Sequence, residues 1–200
     1  TVLDAAPLFT AADYFPLHPG DEWEYTRSPD GTTTRTIVES QTEPIGGIQT
    51  FVFAESSGMK DFFTSDAGGI RLHGEYVILP DIGYQGTLVY DPPILYLRAQ
   101  TAMGERIVAT AQSTSIDGVT LQIQSETTVL GVEDVPTAHS LLRDCIKVSN
   151  VITGTVNGQP VAAQTAYYWF HRGVGCVKQQ SAEGTEVITS SFVNGILTHY

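Results

Sequence analysis

The sequence predicts an all-β domain: an antiparallel meander forming a curved sheet, open barrel or sandwich, with little helix. Two observations carry this. Hairpin signals recur along the chain, at Ser28-Pro29-Asp30-Gly31, Ser56-Ser57-Gly58, Asp66-Ala67-Gly68, Ile116-Asp117-Gly118, Asn157-Gly158, Glu183-Gly184 and Asn194-Gly195. Turns this short join only antiparallel neighbours, and Asp-Gly and Asn-Gly suit the tight hairpin turn. Second, no stretch of about 12 residues keeps an apolar stripe at helical spacing. The best short helix candidates are Leu3–Ala12 and Thr137–Leu142. About ten strands are expected, beginning with Glu22–Ser28 and ending with Ile196–Tyr200. With no crossover helices, parallel βαβ units are excluded.

All 200 residues read as a single β domain, with residues 1–13 as an N-terminal arm. The exception to the meander is Leu79–Leu97, which holds three prolines and the tyrosines Tyr84, Tyr90 and Tyr96. Proline disfavours a central strand, so this segment is expected to be a long excursion lying over the sheet. The richest strand is Tyr167-Tyr168-Trp169-Phe170-His171-Arg172. Alternation places Tyr167, Trp169 and His171 on one face and Tyr168, Phe170 and Arg172 on the other. Both faces are aromatic, so the strand is expected to be covered on both sides. The following Gly173-Val174-Gly175 suits a bulge or sharp bend.

Catalytic and metal signatures are lacking. The five histidines, His18, His73, His139, His171 and His199, never fall at zinc-ligand spacing, and no CxxC, HExxH or Gly-x-Ser-x-Gly occurs. The acidic pairs Asp21-Glu22 and Glu133-Asp134 read as solvated turns. No enzyme, metal or cofactor is expected, although a hydrolase with carboxylates on distant strands is compatible with the sequence. Cys145 and Cys176 permit one disulfide. With Asn157-Gly158 as a two-residue turn, cross-strand partners sum to 315 and Cys145 faces Phe170, six residues short of Cys176. That is about 20 Å at ~3.3 Å per residue, too far for a bond. A register break at Pro160 or at Gly173–Gly175 would change the count, so the pairing stays open.

Composition bounds the partners. The net charge is −12, with three lysines, so an anionic duplex or membrane surface repels the chain. Charged residues are 16%, well below the ~25% of an ordinary soluble domain, and Thr, Ser, Gln and Gly carry the solubility. That balance suits an extracytoplasmic setting: periplasm, cell surface or secreted. No apolar run reaches the ~20 residues of a membrane helix. Any signal peptide or lipidated cysteine is expected upstream of Thr1.

Three segments carry a resemblance. They are Tyr14-Phe15-Pro16-Leu17 followed by Gly20-Asp21, Trp23 and Tyr25; Asp144-Cys145-Ile146-Lys147-Val148; and Tyr167-Tyr168-Trp169-Phe170 followed by Gly173-Val174-Gly175-Cys176-Val177-Lys178. Their order resembles bacterial secreted proteins and lipoproteins and is loosely similar to LolA-like lipoprotein carriers. The resemblance implies a curved antiparallel sheet around an apolar cavity, and a lipid or other apolar ligand. It carries over no catalytic residue, and the chain lacks a long helix to plug the sheet.

Two functions follow as expectations. The first is a non-enzymatic secreted or surface-anchored domain that binds an apolar or lipid-like small molecule. Trp23, Tyr25, Tyr168 and Phe170 line its concave sheet, and the excursion bearing Tyr84, Tyr90 and Tyr96 closes over it. The alternative is a structural subunit that self-associates, or joins other surface proteins, through the N-terminal arm or an edge strand. An interior cavity of at least ~300 Å³ favours the first, and a filled core with apolar patches outside favours the second.

Overall fold

The computed structural model describes residues 8–79, 83–114 and 118–200. Its elements are β1 (Leu8–Thr10), α1 (Ala11–Tyr14), β2 (Glu22–Ser28), β3 (Thr33–Val38), β4 (Glu43–Ile45), β5 (Ile48–Glu55), β6 (Lys60–Asp66), β7 (Gly69–Leu79), β8 (Tyr84–Arg98), β9 (Gln100–Ala102), β10 (Arg106–Thr114), β11 (Thr120–Pro136), β12 (Leu141–Val156), β13 (Gln159–His171), β14 (Gly175–Ser181), β15 (Gly184–Val193) and β16 (Ile196–His199). Every pairing is antiparallel. Strands β2, β3, β5, β6, β7, β8, β10, β11, β12, β13, β14 and β15 follow one another around the sheet, and β15 pairs with both β14 and β2. The sheet is therefore a closed 12-stranded barrel, more specific than the curved sheet, open barrel or sandwich expected. Closure satisfies both edges of the ring with each other.

The tight turns fall where the sequence puts them. Asn157 and Gly158 both take positive φ, and Val156 pairs with Gln159 across them. Because strands alternate in direction, the β2/β3, β5/β6, β12/β13 and β14/β15 turns share one end of the barrel. The other end is plugged by the chain's own N-terminal segment. There β1 pairs with β9, the Asp13 carboxylate accepts from Arg172, and Phe15 lies within 5.0–6.0 Å, ring to ring, of Phe53, Phe63, Tyr96 and Phe170. The described part of the arm thus docks on its own barrel, while residues 1–7 lie outside the described residues; of the helix expected over Leu3–Ala12, the described half is strand at Leu8–Thr10 and helical only at Ala11 and Ala12. The second helix candidate, Thr137–Leu142, is instead a turn in which the Thr137 and Ser140 side chains and backbones bond each other, leading into β12.

The excursion is corrected most. Tyr84–Arg98 is a wall strand, β8, paired with β7 on one side and β10 on the other. Leu72 pairs with Ile94 and Gly74 with Val89, so Tyr90-Asp91-Pro92-Pro93 stands out of the β7 ladder as a bulge. The prolines are tolerated because their missing N–H groups lie where that ladder is already broken. The segment is therefore no lid; residues 80–82 at its start lie outside the described residues.

The aromatic strand β13 is covered on both sides, with Trp169 and Phe170 only 3% and 2% exposed. Trp169 donates to the Glu133 carboxylate at 2.8 Å, and Lys147 and Lys178 stand over its ring. Gly173 and Gly175 both take positive φ in the turn that follows, and a Cβ on Gly175 would come within 3.2 Å of Pro16 Cδ and 3.3 Å of Trp23 Nε1.

The cysteines are free. The 315 register holds from Val156↔Gln159 to Gly154↔Val161 and then slips by one at a bulge, so Ile146 faces Phe170 and Phe170 faces Cys176. The two thiols are therefore not far apart along a strand, as the unbroken count implies. Strand β13 stands between β12 and β14 instead, and two inter-strand spacings, about 10 Å, exceed the reach of a disulfide.

Candidate lumen site

An eight-stranded barrel is just wide enough to be filled by its own side chains, and more strands leave room inside. This 12-stranded ring encloses a lumen of about 450 Å³. One part of its wall is aromatic: Phe15 from the plug, Trp23 and Tyr25 on β2, Phe53 on β5, Phe63 on β6, Tyr90 and Tyr96 on β8, and Tyr168 and Phe170 on β13. Towards the hairpin end the wall is mixed, with Gln122, Ser125, Asn150, Thr153, Gln164 and Gln179 set among Leu121, Ile123, Ile152 and Val161. Asn150 is fixed by donating to the Ser125 and Thr127 hydroxyls at 2.9 and 3.0 Å. A second space of about 390 Å³ borders the same Asn150, Gln164, Tyr168 and Gln179 and reaches Arg27, Glu183 and Glu186.

Of the residues singled out from sequence, Trp23, Tyr25, Tyr168, Phe170, Tyr90 and Tyr96 are brought together around this lumen. Tyr84 is not among the lining residues; it packs half-buried against the cluster that includes Leu72, Leu88 and Ile94. The polar ends of two of these aromatics are tied to backbone. Trp23 Nε1 donates to the Val174 carbonyl at 2.6 Å, and the Tyr25 hydroxyl donates to the Cys176 carbonyl at 2.9 Å. Burial pushes the hydroxyls of Tyr25, Tyr90, Tyr96 and Tyr168 well up, so they stay neutral at any physiological pH.

Sequence reasoning missed the carboxyl groups of the lumen: Glu55 on β5, Asp61 on β6 and Glu75 on β7. Asp61 and Glu75 are direct cross-strand partners, a geometry that puts Cβ atoms about 4.5–5.5 Å apart. Burial, and then the neighbouring Glu75 charge, hold the Asp61 carboxyl well above the usual carboxylate range. Glu75 is also raised, by burial, although the Tyr90 hydroxyl donating to it at 2.5 Å opposes the shift. Alternation could have found two of the three. Glu55 is in phase with Phe51 and Phe53, and Asp61 is in phase with Phe63. Glu75 is hidden because His73 is an extra residue on β7: Phe62 pairs with Gly74 but Phe63 pairs with Leu72. That bulge turns Leu72 and Glu75, three apart, onto the same face.

The acidic residues that were read as solvated turns are otherwise engaged. Asp21 is buried, and its carboxylate accepts from Asn194 N–H at 2.9 Å and His18 N–H at 3.2 Å. Glu133 binds Trp169 and Lys147, and those hydrogen bonds, Trp169's first, hold its carboxyl below the usual range. Burial pushes the Cys145 thiol up to about 11 and the Cys176 thiol, which borders the lumen, up to about 12, so neither is a thiolate nucleophile at neutral pH. No cluster of three or more His, Cys, Asp or Glu side chains is placed to hold a metal among the described residues.

No family model and no curated protein matches this chain. Among solved structures, it is similar to a candidate lipoprotein from Parabacteroides distasonis, at 14% identity and a TM-score of 0.46, over 92% of this chain and 98% of that one. Among the described residues no helix is long and apolar enough to cross a membrane. The LolA-like layout implied by the three sequence segments differs from the observed one in that the wall is a closed ring.

Proposed function

We propose that this protein is a non-enzymatic binding domain that takes a small, largely apolar molecule into the barrel lumen. The observation that carries the reading is the lumen itself. Its volume of about 450 Å³ lies inside the ~300–1,000 Å³ range of small-molecule sites. Its wall pairs a broad aromatic surface with a few polar groups, which is how such sites combine affinity with orientation. Hydrocarbon buried there contributes ~25 cal/mol per Å² of apolar surface. The low content of charged residues supports an extracytoplasmic placement.

The test is a fluorescence titration with 1-aminoanthracene, a small apolar probe whose emission shifts to the blue when it leaves water. A saturable, one-to-one blue-shifted signal is expected. An absence of binding across the soluble range of the probe would sink the proposal.

Self-association keeps one foothold as a second reading. Among the described residues strand β16 bonds only to β15, and Phe192, Ile196 and Leu197 on that hairpin are exposed. Barrel closure pairs the remaining ring edges, which favours the lumen over an edge strand as the functional feature.

A further inference from the structure

A lumen that merely stored hydrocarbon would be lined by hydrocarbon. This one brings three carboxyl groups to its wall, while its lining contains no Lys, Arg or His. Arg27, which borders the adjoining space, is already held by Glu186 at 2.7 Å, and Glu186 also accepts from Gln179. Glu55 is exposed at the hairpin end and accepts from the Ser57 hydroxyl. Glu75 accepts from Tyr90. Asp61 is different. It is half-buried, borders the lumen, and has no hydrogen-bond or ion-pair partner among the described residues. A carboxyl set into a largely apolar wall without a partner is costly unless something completes it.

We infer that the lumen selects a cationic amine: a ligand with an apolar body and a protonated amino group, the body lying against the aromatic wall and the ammonium between Asp61 and Glu75. This rests on the lumen being a ligand site, and adds the chemical class. The position is complementary twice over. The two carboxyls are cross-strand neighbours, so one ammonium with three N–H donors can reach both. Aromatic faces surround them. Phe53 is the cross-strand partner of Asp61 on the β5 side, and Tyr96 and Tyr168 line the same lumen. A cation over such faces gains further attraction.

The groups facing the pair are Glu55 on β5, Tyr25 on β2, Tyr90 and Tyr96 on β8, Tyr168 on β13 and Cys176 on β14. None of them is a cation at any pH. Without ligand, the pair retains a proton above the usual carboxylate range. An alkylammonium must displace that proton, so its affinity rises as pH rises through the raised range of the pair, while the amine itself stays charged.

The experiment displaces 1-aminoanthracene with n-octylamine, n-octanol and n-octanoate, which share one hydrocarbon chain and differ in head group. The amine should displace the probe at least about tenfold more effectively than the alcohol, and the octanoate least, as a charge-assisted bond to a desolvated carboxylate predicts. Asp61→Asn should reduce the amine's advantage over the alcohol to about twofold or less. Equal displacement by amine and alcohol, or an amine advantage that survives both Asp61→Asn and Glu75→Gln, would overturn the inference while leaving the lumen a binding site. Failure of the probe itself to bind would overturn the lumen reading first. Asp61→Asn adds no volume and removes an unpartnered charge, so it is expected to fold; Glu75→Gln gives an independent variant.

Discussion

Trp23→Ala is expected to destabilise the barrel by about 3–5 kcal/mol, the usual range for emptying a buried tryptophan site. Trp23 is 2% exposed and lies where the ring closes, between the plug and the β13/β14 turn. Its ring stacks on Phe53 at 5.6 Å and 16° between planes, and its indole N–H donates to the Val174 carbonyl across 151 residues of chain. Removing it opens a cavity beside the lumen and loses the tie between the first and last parts of the ring. Trp23→Phe keeps most of the packing and loses only the hydrogen bond, so it should cost about 1 kcal/mol beyond its smaller volume. Urea unfolding of the two variants separates the contributions. Equal and small losses in both would show that the indole is not a structural anchor.

Asp61→Asn is expected to do the opposite and stabilise the unliganded protein at neutral pH, by on the order of 1 kcal/mol, because it removes a group whose charged form the barrel disfavours. The sign follows from the direction of the shift. The Asp61 carboxyl sits above its usual range in the folded barrel. The unfolded chain therefore gives up this proton at lower pH than the folded one. The contribution to stability is present in full below the unfolded value, near 3.9, and is lost as pH rises through the folded value. The variant should thus unfold at higher temperature than wild type at pH 7 and show a smaller gain at pH 4. A variant equally stable or less stable at pH 7 would mean that Asp61 has a stabilising partner. Together with the loss of amine selectivity, the result would mark Asp61 as a residue kept for binding at a cost to stability.

Much of the wall was legible in the sequence because turn chemistry is local. Asn157-Gly158 supplies two positive φ values, and along Glu22–Ser28 Trp23, Tyr25 and Arg27 are each more buried than the residue that follows. Ring closure was not legible, because β15 pairs with both β14 and β2, and the β2 contact spans more than 150 residues with no local signature. The excursion defeats the proline rule for a physical reason: Pro92 and Pro93 sit where the ladder to β7 is already interrupted by the bulge, while Asp91 beside them still pairs with Gln112 of β10. The same kind of event hid part of the site. The aromatic half of the lumen was found by period-two reasoning, whereas the His73 bulge rotates Glu75 inward and defeats that rule. The disulfide count failed likewise, at a one-residue slip beyond Gly154. Bulges are where this chain departs from alternation, and they are also where the carboxylate pair is assembled.

The most direct test of the lumen as a binding site is to fill it from within. Ile123 is a half-buried lining residue on β11, and Ile123→Trp adds bulk to the space without altering charge. 1-Aminoanthracene should bind the wild type saturably at one site and bind Ile123→Trp at least about tenfold more weakly, with the thermal unfolding transition of the variant still cooperative. Equal binding of the probe by the two proteins would place it outside the lumen and contradict the account.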